Sequence, residues 1–531
     1  MEIILLLCAV VIALCIFTNR FTTKIGIPAV LVFMAIGMIF GSEGILKIPF
    51  DNFNQTEMVC SAALIFIMFY GGFGTNFKTA RPVLAPAVCL ATLGVLLTAV
   101  LTGVFCIVVL KMKVMEGLLL GSVVASTDAA SVFSILRSKQ LNLKNKTASL
   151  LELESGSNDP AAYMLTMIIL GIMSDNVNNI AIMLFKQVVF GIIFGLGSGY
   201  IAYKSLKNID FEIEGSDTIL MIAMVLFSYA APSLLGGNGY LSVYLFGLYI
   251  GNKNFDNKIT MVHFFDEINQ LAQILIFFLL GLLVYPSRLI PMAGTALLVF
   301  AGLTFIARPL AVFLIMTPFK AGFRQQVLIA FSGLRGAASI VFAIMVTVSP
   351  VYSKIDVFNI VFCVALISVA FQGLLLPKVA HILDMVDEEQ NVMKTFNDYN
   401  ADEDIRLIQM NMEPGHKYIG KRINELRIKN MLIILIERGN DTLMPRSDVV
   451  IEEGDILVLS AKSYKGNIKT VLNEERIGLD DIRVGKKIQE LANEEDNRFI
   501  VIIKRMDGSN IIPKGNTTIK GGDILIYSKI N

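Results

Sequence analysis

The sequence predicts an α-helical polytopic membrane protein of about thirteen transmembrane helices, an inverted repeat with broken helices, followed by cytoplasmic α+β modules. Three observations carry this expectation. Hydrophobic residues make up 55% of the chain and charged residues only 17%, with a mean hydropathy of +0.66. Apolar stretches of bilayer length recur from Ile3 to about Leu383. Beyond Asp384 the composition turns abruptly polar and β-rich, and it contains an internal repeat.

Taken in order, the expected spans are 3–18, 27–47, 57–71, 82–110, 115–136, 148–173, 180–205, 216–235, 239–251, 262–284, 289–317, 325–348 and 356–383. Met1-Glu2 supplies no positive leader, so the first stretch reads as a span and not as a signal peptide. Arg20, Lys24, Lys78, Arg81, Arg137, Lys139, Lys144, Lys146, Lys204, Lys207, Lys253, Lys258, Lys320 and Arg324 fall in alternate loops. The opposite loops hold roughly a third as many, which places the N-terminus outside and the C-terminal modules in the cytoplasm. A net charge of +1 leaves no bulk basic surface for nucleic acid. The six cysteines lie in apolar runs without metal-ligand spacing and read as small core hydrophobes. Gly191, Gly195 and Gly199 repeat every four residues, as do Gly117 and Gly121, the pattern of closely packed membrane helices.

The stretch Glu152-Leu-Glu-Ser-Gly-Ser-Asn-Asp-Pro160 leads into the apolar segment Ala161 to Met173, so Glu154, Asn158 and Asp159 sit at or near membrane depth. A charge at the bilayer centre costs about 2.5–3.5 kcal/mol on insertion scales, and such acids face a partner, a water-filled cavity or an ion. The spacing i, i+4, i+5 puts all three on one broad helix face. Three oxygen-bearing side chains there suit a hard cation better than covalent chemistry.

Two other polar interruptions accompany it. In Ser122 to Ser134, Asp128 is flanked by Ser126, Thr127 and Ser131 inside an apolar span, the look of a helix whose backbone is interrupted. The alternative is an intact helix whose hydroxyls bond back to their own carbonyls. Arg308 precedes Pro309, and Arg335 sits in Gly333-Leu-Arg-Gly336, a candidate second broken helix. Each arginine needs an acid in the bundle or a place at an aqueous rim. Glu154 and Asp128 are the natural counter-charges; Glu154 with Arg308 is favoured, with Arg335 left open.

These residues, in this order and in separate spans, resemble the monovalent cation/proton antiporters of the bacterial NhaP and eukaryotic sodium/proton exchanger type. The resemblance covers residues 1 to about 385. It implies a homodimer whose inverted-repeat core crosses two unwound helices beside the Asn158-Asp159 helix. It also implies that Asp159 binds K+ or Na+ and H+ in turn, with Asp128, Thr127 and Ser155 helping to coordinate the cation and Asn158 and Glu154 positioning the site. Electrogenic relatives carry two adjacent aspartates where this chain has Asn158-Asp159, which implies one-for-one exchange.

Residues 386–403 read as an acidic linker, with modules over 404–466 and 467–531. Ile419-Gly-Lys-Arg-Ile-Asn-Glu-Leu426 matches Val484-Gly-Lys-Lys-Ile-Gln-Glu-Leu491, and Glu453-Gly-Asp-Ile-Leu457 matches Gly521-Gly-Asp-Ile-Leu525. Lys421 to Leu426 suggests a short helix, and Ile405 to Met412, Met431 to Glu437 and Ile456 to Ser460 suggest strands. Each copy resembles the TrkA-C module of potassium-uptake regulators, which implies control by a small nucleotide or, equally, a plain dimerisation or folding role. No Gly-x-Gly-x-x-Gly follows a strand, and no cofactor is expected. A channel or a non-transporting sensor is the alternative class. An enzyme is disfavoured, because the three histidines form no His-Glu-x-x-His and give no serine in the bundle a partner.

Overall fold

The computed structural model describes residues 2–387 and 405–529, apart from 26–27, 76, 140, 175–178, 210–212, 214, 256, 351–354, 413, 427–430, 440, 463–471, 479–480, 482, 492–497, 506–509, 512 and 514–515. Most of the expected acidic linker therefore lies outside the described residues. The chain divides into two compact units, Met1–Asp402 and Glu403–Asn531.

The first unit is helical. It opens with α1 (Glu2–Ile25), α2 (Ala29–Phe40), α3 (Phe53–Phe73) and a short α4 (Phe77–Ala80). Next come α5 (Leu84–Cys89) and α6 (Val95–Val109), joined through a π-turn at Leu90–Gly94 into one crossing. The pair α7 (Val114–Val123) and α8 (Ala129–Ser138) is followed by the long α9 (Thr147–Met173). Four further helices are α10 (Ile180–Asn208), α11 (Ser216–Leu234), α12 (Gly239–Gly251) and α13 (Lys258–Leu283). A second π-turn, Leu303–Ala307, joins α14 (Pro286–Gly302) to α15 (Arg308–Met316). The pair α16 (Phe323–Phe331) and α17 (Ala337–Val348) and the long α18 (Val357–Ile382) complete the unit. Among the described residues seven helices are long and apolar enough to cross a membrane alone.

Two bundles result. Helices α2, α3 and α10 to α13 pack on one another as a scaffold. Its crossings are close because glycine removes the side chain where backbones meet: a Cβ on Gly281 would lie against the Met34 carbonyl of α2, and one on Gly195 of α10 against the Ser242 carbonyl of α12. The other bundle contains α5 to α9 and α14 to α18. Each half of it has the same plan: a crossing with a π-turn, a crossing broken into two half-helices, and a long unbroken helix. Corresponding crossings of the two halves lie seven apart along the chain, an odd number, so the halves run in opposite directions through the bilayer. The spans expected at 115–136 and 325–348 are thus each unwound in the middle, over 124–128 and 332–336.

In the second unit two four-stranded antiparallel sheets share one plan. Strands β1 (Ile405–Asn411), β2 (Met431–Arg438), β3 (Asp441–Leu443) and β4 (Ile456–Lys462) pair in the order β1-β4-β2-β3. Strands β5 (Leu472–Arg476), β6 (Arg498–Lys504), β7 (Asn510–Ile511) and β8 (Ile524–Lys529) pair as β5-β8-β6-β7. The repeated Gly-Asp pairs do the same work in both sheets. Gly454 and Gly522 turn with φ of +86° and +89°, a conformation glycine adopts without strain. Asp455 and Asp523 beside them are buried and pair with Arg438 and Arg505. The helix expected at 421–426 shrinks to a single 3-10 turn, Ile423–Glu425, while its counterpart forms a four-residue α19, Ile488–Leu491.

Candidate functional site

The two unwound segments meet at their middles. The Asp128 amide donates to the Leu334 carbonyl at 2.8 Å. Gly336 is obligatory there, because a Cβ would occupy the space of the Asp128 side chain. Each break leaves a half-helix with orphan carbonyls and another with orphan amides. Arg335 serves the first kind: its Nη1 donates to the carbonyls of Ala125 at 2.8 Å and Ser126 at 2.7 Å, at the end of α7. Asp128 serves the second, accepting from the Ser131 amide at 3.2 Å and the Ser131 hydroxyl at 2.6 Å at the start of α8. Cation and anion therefore sit where the helix dipoles need them.

Helix α9 lies beside this crossing. Its Ser126-facing carboxylate is Asp159, 6% exposed, which accepts from the Ser126 hydroxyl. The Ser155 hydroxyl donates to the Thr127 carbonyl at 2.7 Å, and the Asn158 amide nitrogen donates to the Thr127 hydroxyl. Ser155 and Asn158 thus clasp the unwound segment from one side and fix Thr127.

Glu154 turns away from this cluster. It accepts from Arg308 Nη2 at 2.8 Å, and the two side chains are 1% and 2% exposed. The single face expected for Glu154, Asn158 and Asp159 is therefore split: residues five apart on a helix point about 140° from each other, enough to send Glu154 to α15 and Asp159 to the crossing. Neither arginine lies at a rim; both are buried.

A cavity of about 620 Å³ reaches the crossing, lined there by Ser126, Thr127, Asp128, Ser155 and Asp159 and further out by Glu152, Tyr70, Asp266 and Gln270. On α9 every lining residue lies at or before Asp159. One turn beyond, Tyr163 packs edge-on against Tyr240 with ring centroids 5.0 Å apart and at a tilt against Phe342 at 5.8 Å. Among the described residues this cavity therefore approaches Asp159 from the side of the N-terminal half of α9. Asn158, Glu154, Arg308 and Arg335 support the lining from behind. Among the described residues no group of three or more His, Cys, Asp or Glu is arranged for a tightly held metal. Such a lining of carboxylates, hydroxyls and carbonyls suits a hard monovalent cation held weakly.

Several of these residues were not singled out from the sequence. Ser126 was noted only as a neighbour of Asp128. Asp266, which accepts from the Tyr70 hydroxyl at 2.5 Å, had a readable signal: with Asn269, Gln270 and Gln273 it forms a polar stripe at helical spacing on one face of a membrane-crossing helix.

Comparison with known proteins follows the same division of the chain. Residues 9–381 match the model of the sodium/hydrogen exchanger transmembrane family, and residues 407–464 match that of the TrkA-C domain. The chain is 33% identical over 476 residues to the K(+)/H(+) antiporter NhaP of Alkalimonas amylolytica, covering 88% of this chain and 83% of that protein. It is 33% identical over 458 residues to the K(+)/H(+) antiporter NhaP2 of Shewanella sp. strain ANA-3, covering 85% and 79%. The solved structure of the sodium proton antiporter MjNhaP1 from Methanocaldococcus jannaschii at pH 8 is similar with a TM-score of 0.63 and 26% identity, over 72% of this chain and 99% of that one.

Proposed function

The chain belongs to the sodium/hydrogen exchanger family and is a monovalent cation/proton antiporter with a C-terminal TrkA-C domain, and from that premise we propose that it exchanges cytoplasmic K+, or Na+, for H+ one for one at Asp159. The observation that carries the reading is the placement of Asp159 in a cavity, beside Thr127, Asp128 and Ser155. A carboxylate oxygen that holds a proton cannot also ligate a cation, so the two substrates exclude each other there. In the protonated state the Ser126 hydroxyl and the carboxyl satisfy one another. An arriving cation takes the Asp159 carboxylate, with the Thr127 and Ser155 oxygens and Asp128 completing its shell, and the proton leaves.

One carboxylate turning over one charge of either kind makes the exchange electroneutral, since the neighbouring position is Asn158. Alternating access follows when the bundle bearing Asp159 rocks against the scaffold, opening the ring barrier at Tyr163, Tyr240 and Phe342 as the cavity closes. Glu154 and Arg308 lie within the moving bundle and travel as a neutral pair. The working form is a homodimer in the cell membrane, N-terminus outside and cavity facing the cytoplasm, where the basic loops lie.

The tail regulates this cycle. Where the chain leaves α18 it is stitched to the loop leading into α9: the Lys144 amide donates to the Met385 carbonyl at 2.8 Å and the Asp387 amide to the Asn142 carbonyl at 2.9 Å. Asp384 pairs with Lys144 at 2.8 Å and Arg324 at 3.2 Å. A small nucleotide bound by the tail modules could bias the cycle only through different affinities for its states.

Everted vesicles loaded with a pH-sensitive dye and challenged in turn with potassium, sodium and lithium test the reading. Saturable proton release is expected with wild type, most readily with potassium, and none with Asp159→Asn at equal expression. Exchange by Asp159→Asn would overturn the assignment.

A further inference from the structure

Buried polar groups in a membrane bundle persist where they answer another polar need. On α18, outside the cavity lining, Ser368 and Gln372 are 0% and 1% exposed. Their bonds form a chain. Gln372 Nε2 donates to the Phe331 carbonyl at 2.9 Å, the Ser368 hydroxyl donates to Gln372 Oε1 at 2.5 Å, and the Arg335 amide donates to Ser368 Oγ at 3.1 Å. The chain spans the gap in the second broken helix, from the last residue of α16 to the residue preceding Gly336.

The first half of the bundle has the counterpart. There the long helix α9 uses Ser155 and Asn158 to hold Thr127 in the first break. Here the long helix α18 uses Ser368 and Gln372, four apart and hence on one face, to hold the second. Among the described residues no carboxylate bonds to the second pair.

From this geometry we infer that Gln372 and Ser368 are positioning residues for ion exchange. They hold the backbone of residues 331–335 in place, which aims Arg335 at the Ala125 and Ser126 carbonyls and so sets the Ser126 hydroxyl on Asp159. The effect reaches the ion site through two intermediates, Arg335 and the segment 125–127. Its signature is a change in how the site binds, not in how much protein assembles.

The inference rests on exchange at Asp159, and the test separates the two. Purified full-length protein in proteoliposomes is assayed for potassium-driven proton movement at several pH values. Wild type without activity would fail the underlying reading before any variant is compared. Gln372→Met removes both hydrogen bonds at similar volume. Ser368→Ala removes the hydroxyl and Ser368→Thr keeps it. Gln372→Met and Ser368→Ala are expected to raise the half-saturating potassium concentration about tenfold, less than the summed net worth of the two hydrogen bonds each loses because the effect is relayed through Arg335, and to displace the pH profile. Ser368→Thr should stay near wild type. If Gln372→Met fails to assemble, the Ser368 pair decides alone. Unchanged half-saturation and pH profile in Ser368→Ala, or an equal defect in Ser368→Thr, would overturn the inference.

Discussion

Glu154→Gln is the most informative substitution, because it removes a charge and almost nothing else. The Arg308–Glu154 contact is 2.8 Å, with side chains 2% and 1% exposed. At an effective dielectric of about 20, two unit charges at that distance attract by about 6 kcal/mol. Dehydrating both ions offsets most of that gain, so the intact pair adds little net stability. With Gln at 154 the attraction is lost while Arg308, which cannot shed its proton, stays buried. Breaking such a pair costs about 3–5 kcal/mol. Among the described residues one hydrogen bond joins the two and Arg308 Nε has no acceptor, which places the loss near the lower end, about 3 kcal/mol. The chain lacks tryptophan, but Cys15, Cys60, Cys106 and Cys363 are buried and free, so a thiol-reactive dye reports unfolding as they become exposed. Glu154→Gln should react at a clearly lower temperature than wild type. Glu154→Gln/Arg308→Gln, which buries no net charge, should recover much of the difference. A Glu154→Gln protein as heat-resistant as wild type would refute the reasoning, since it would require Arg308 to have another counter-charge.

Three further outcomes are expected. Gly336→Ala places a methyl where the Asp128 side chain lies and should abolish vesicle exchange, whereas Gly294→Ala, with nothing within 4 Å of its Cβ, should leave it intact; equal activity of the two would show that the crossing can open. Truncation after Asp387 should leave an assembled antiporter with altered activation and the same order among potassium, sodium and lithium; a changed order would put the tail in the transport site. In the first tail module burial pushes the Asp455 carboxyl up, but Arg438 and the Glu452 amide outweigh it and hold it below the ordinary value of 3.8. A depressed carboxylate adds stability that is complete above about pH 4 and lost as pH falls through the folded value. Protection of the Met412 amide, bonded to the Asp455 carbonyl, should therefore persist at neutral pH and fall only below about pH 4 in hydrogen exchange; protection unchanged to about pH 2 would contradict this.

Much of the molecule was legible because its signals are local. Hydropathy marks each crossing, since lipid leaves a backbone no partner but its own helix. The two unwound segments announced themselves as Ser126-Thr127-Asp128 and Gly333-Leu-Arg-Gly336, polar or glycine-rich where a continuous helix would be apolar. The repeated Gly-Asp turns of the tail were visible as identical strings.

Pairing was not legible in the same way. Glu154 and Arg308 are 154 residues apart, and only the packing of α9 against the neighbouring helices decides that Arg308 and not Arg335 reaches the glutamate. Likewise nothing near Gln372 in the chain says that it caps α16, 41 residues away. Sequence pattern specifies which side chains must find a partner in lipid. The crossing of two broken helices, held together by Gly336, Arg335 and the polar pairs of α9 and α18, decides which partner each one finds.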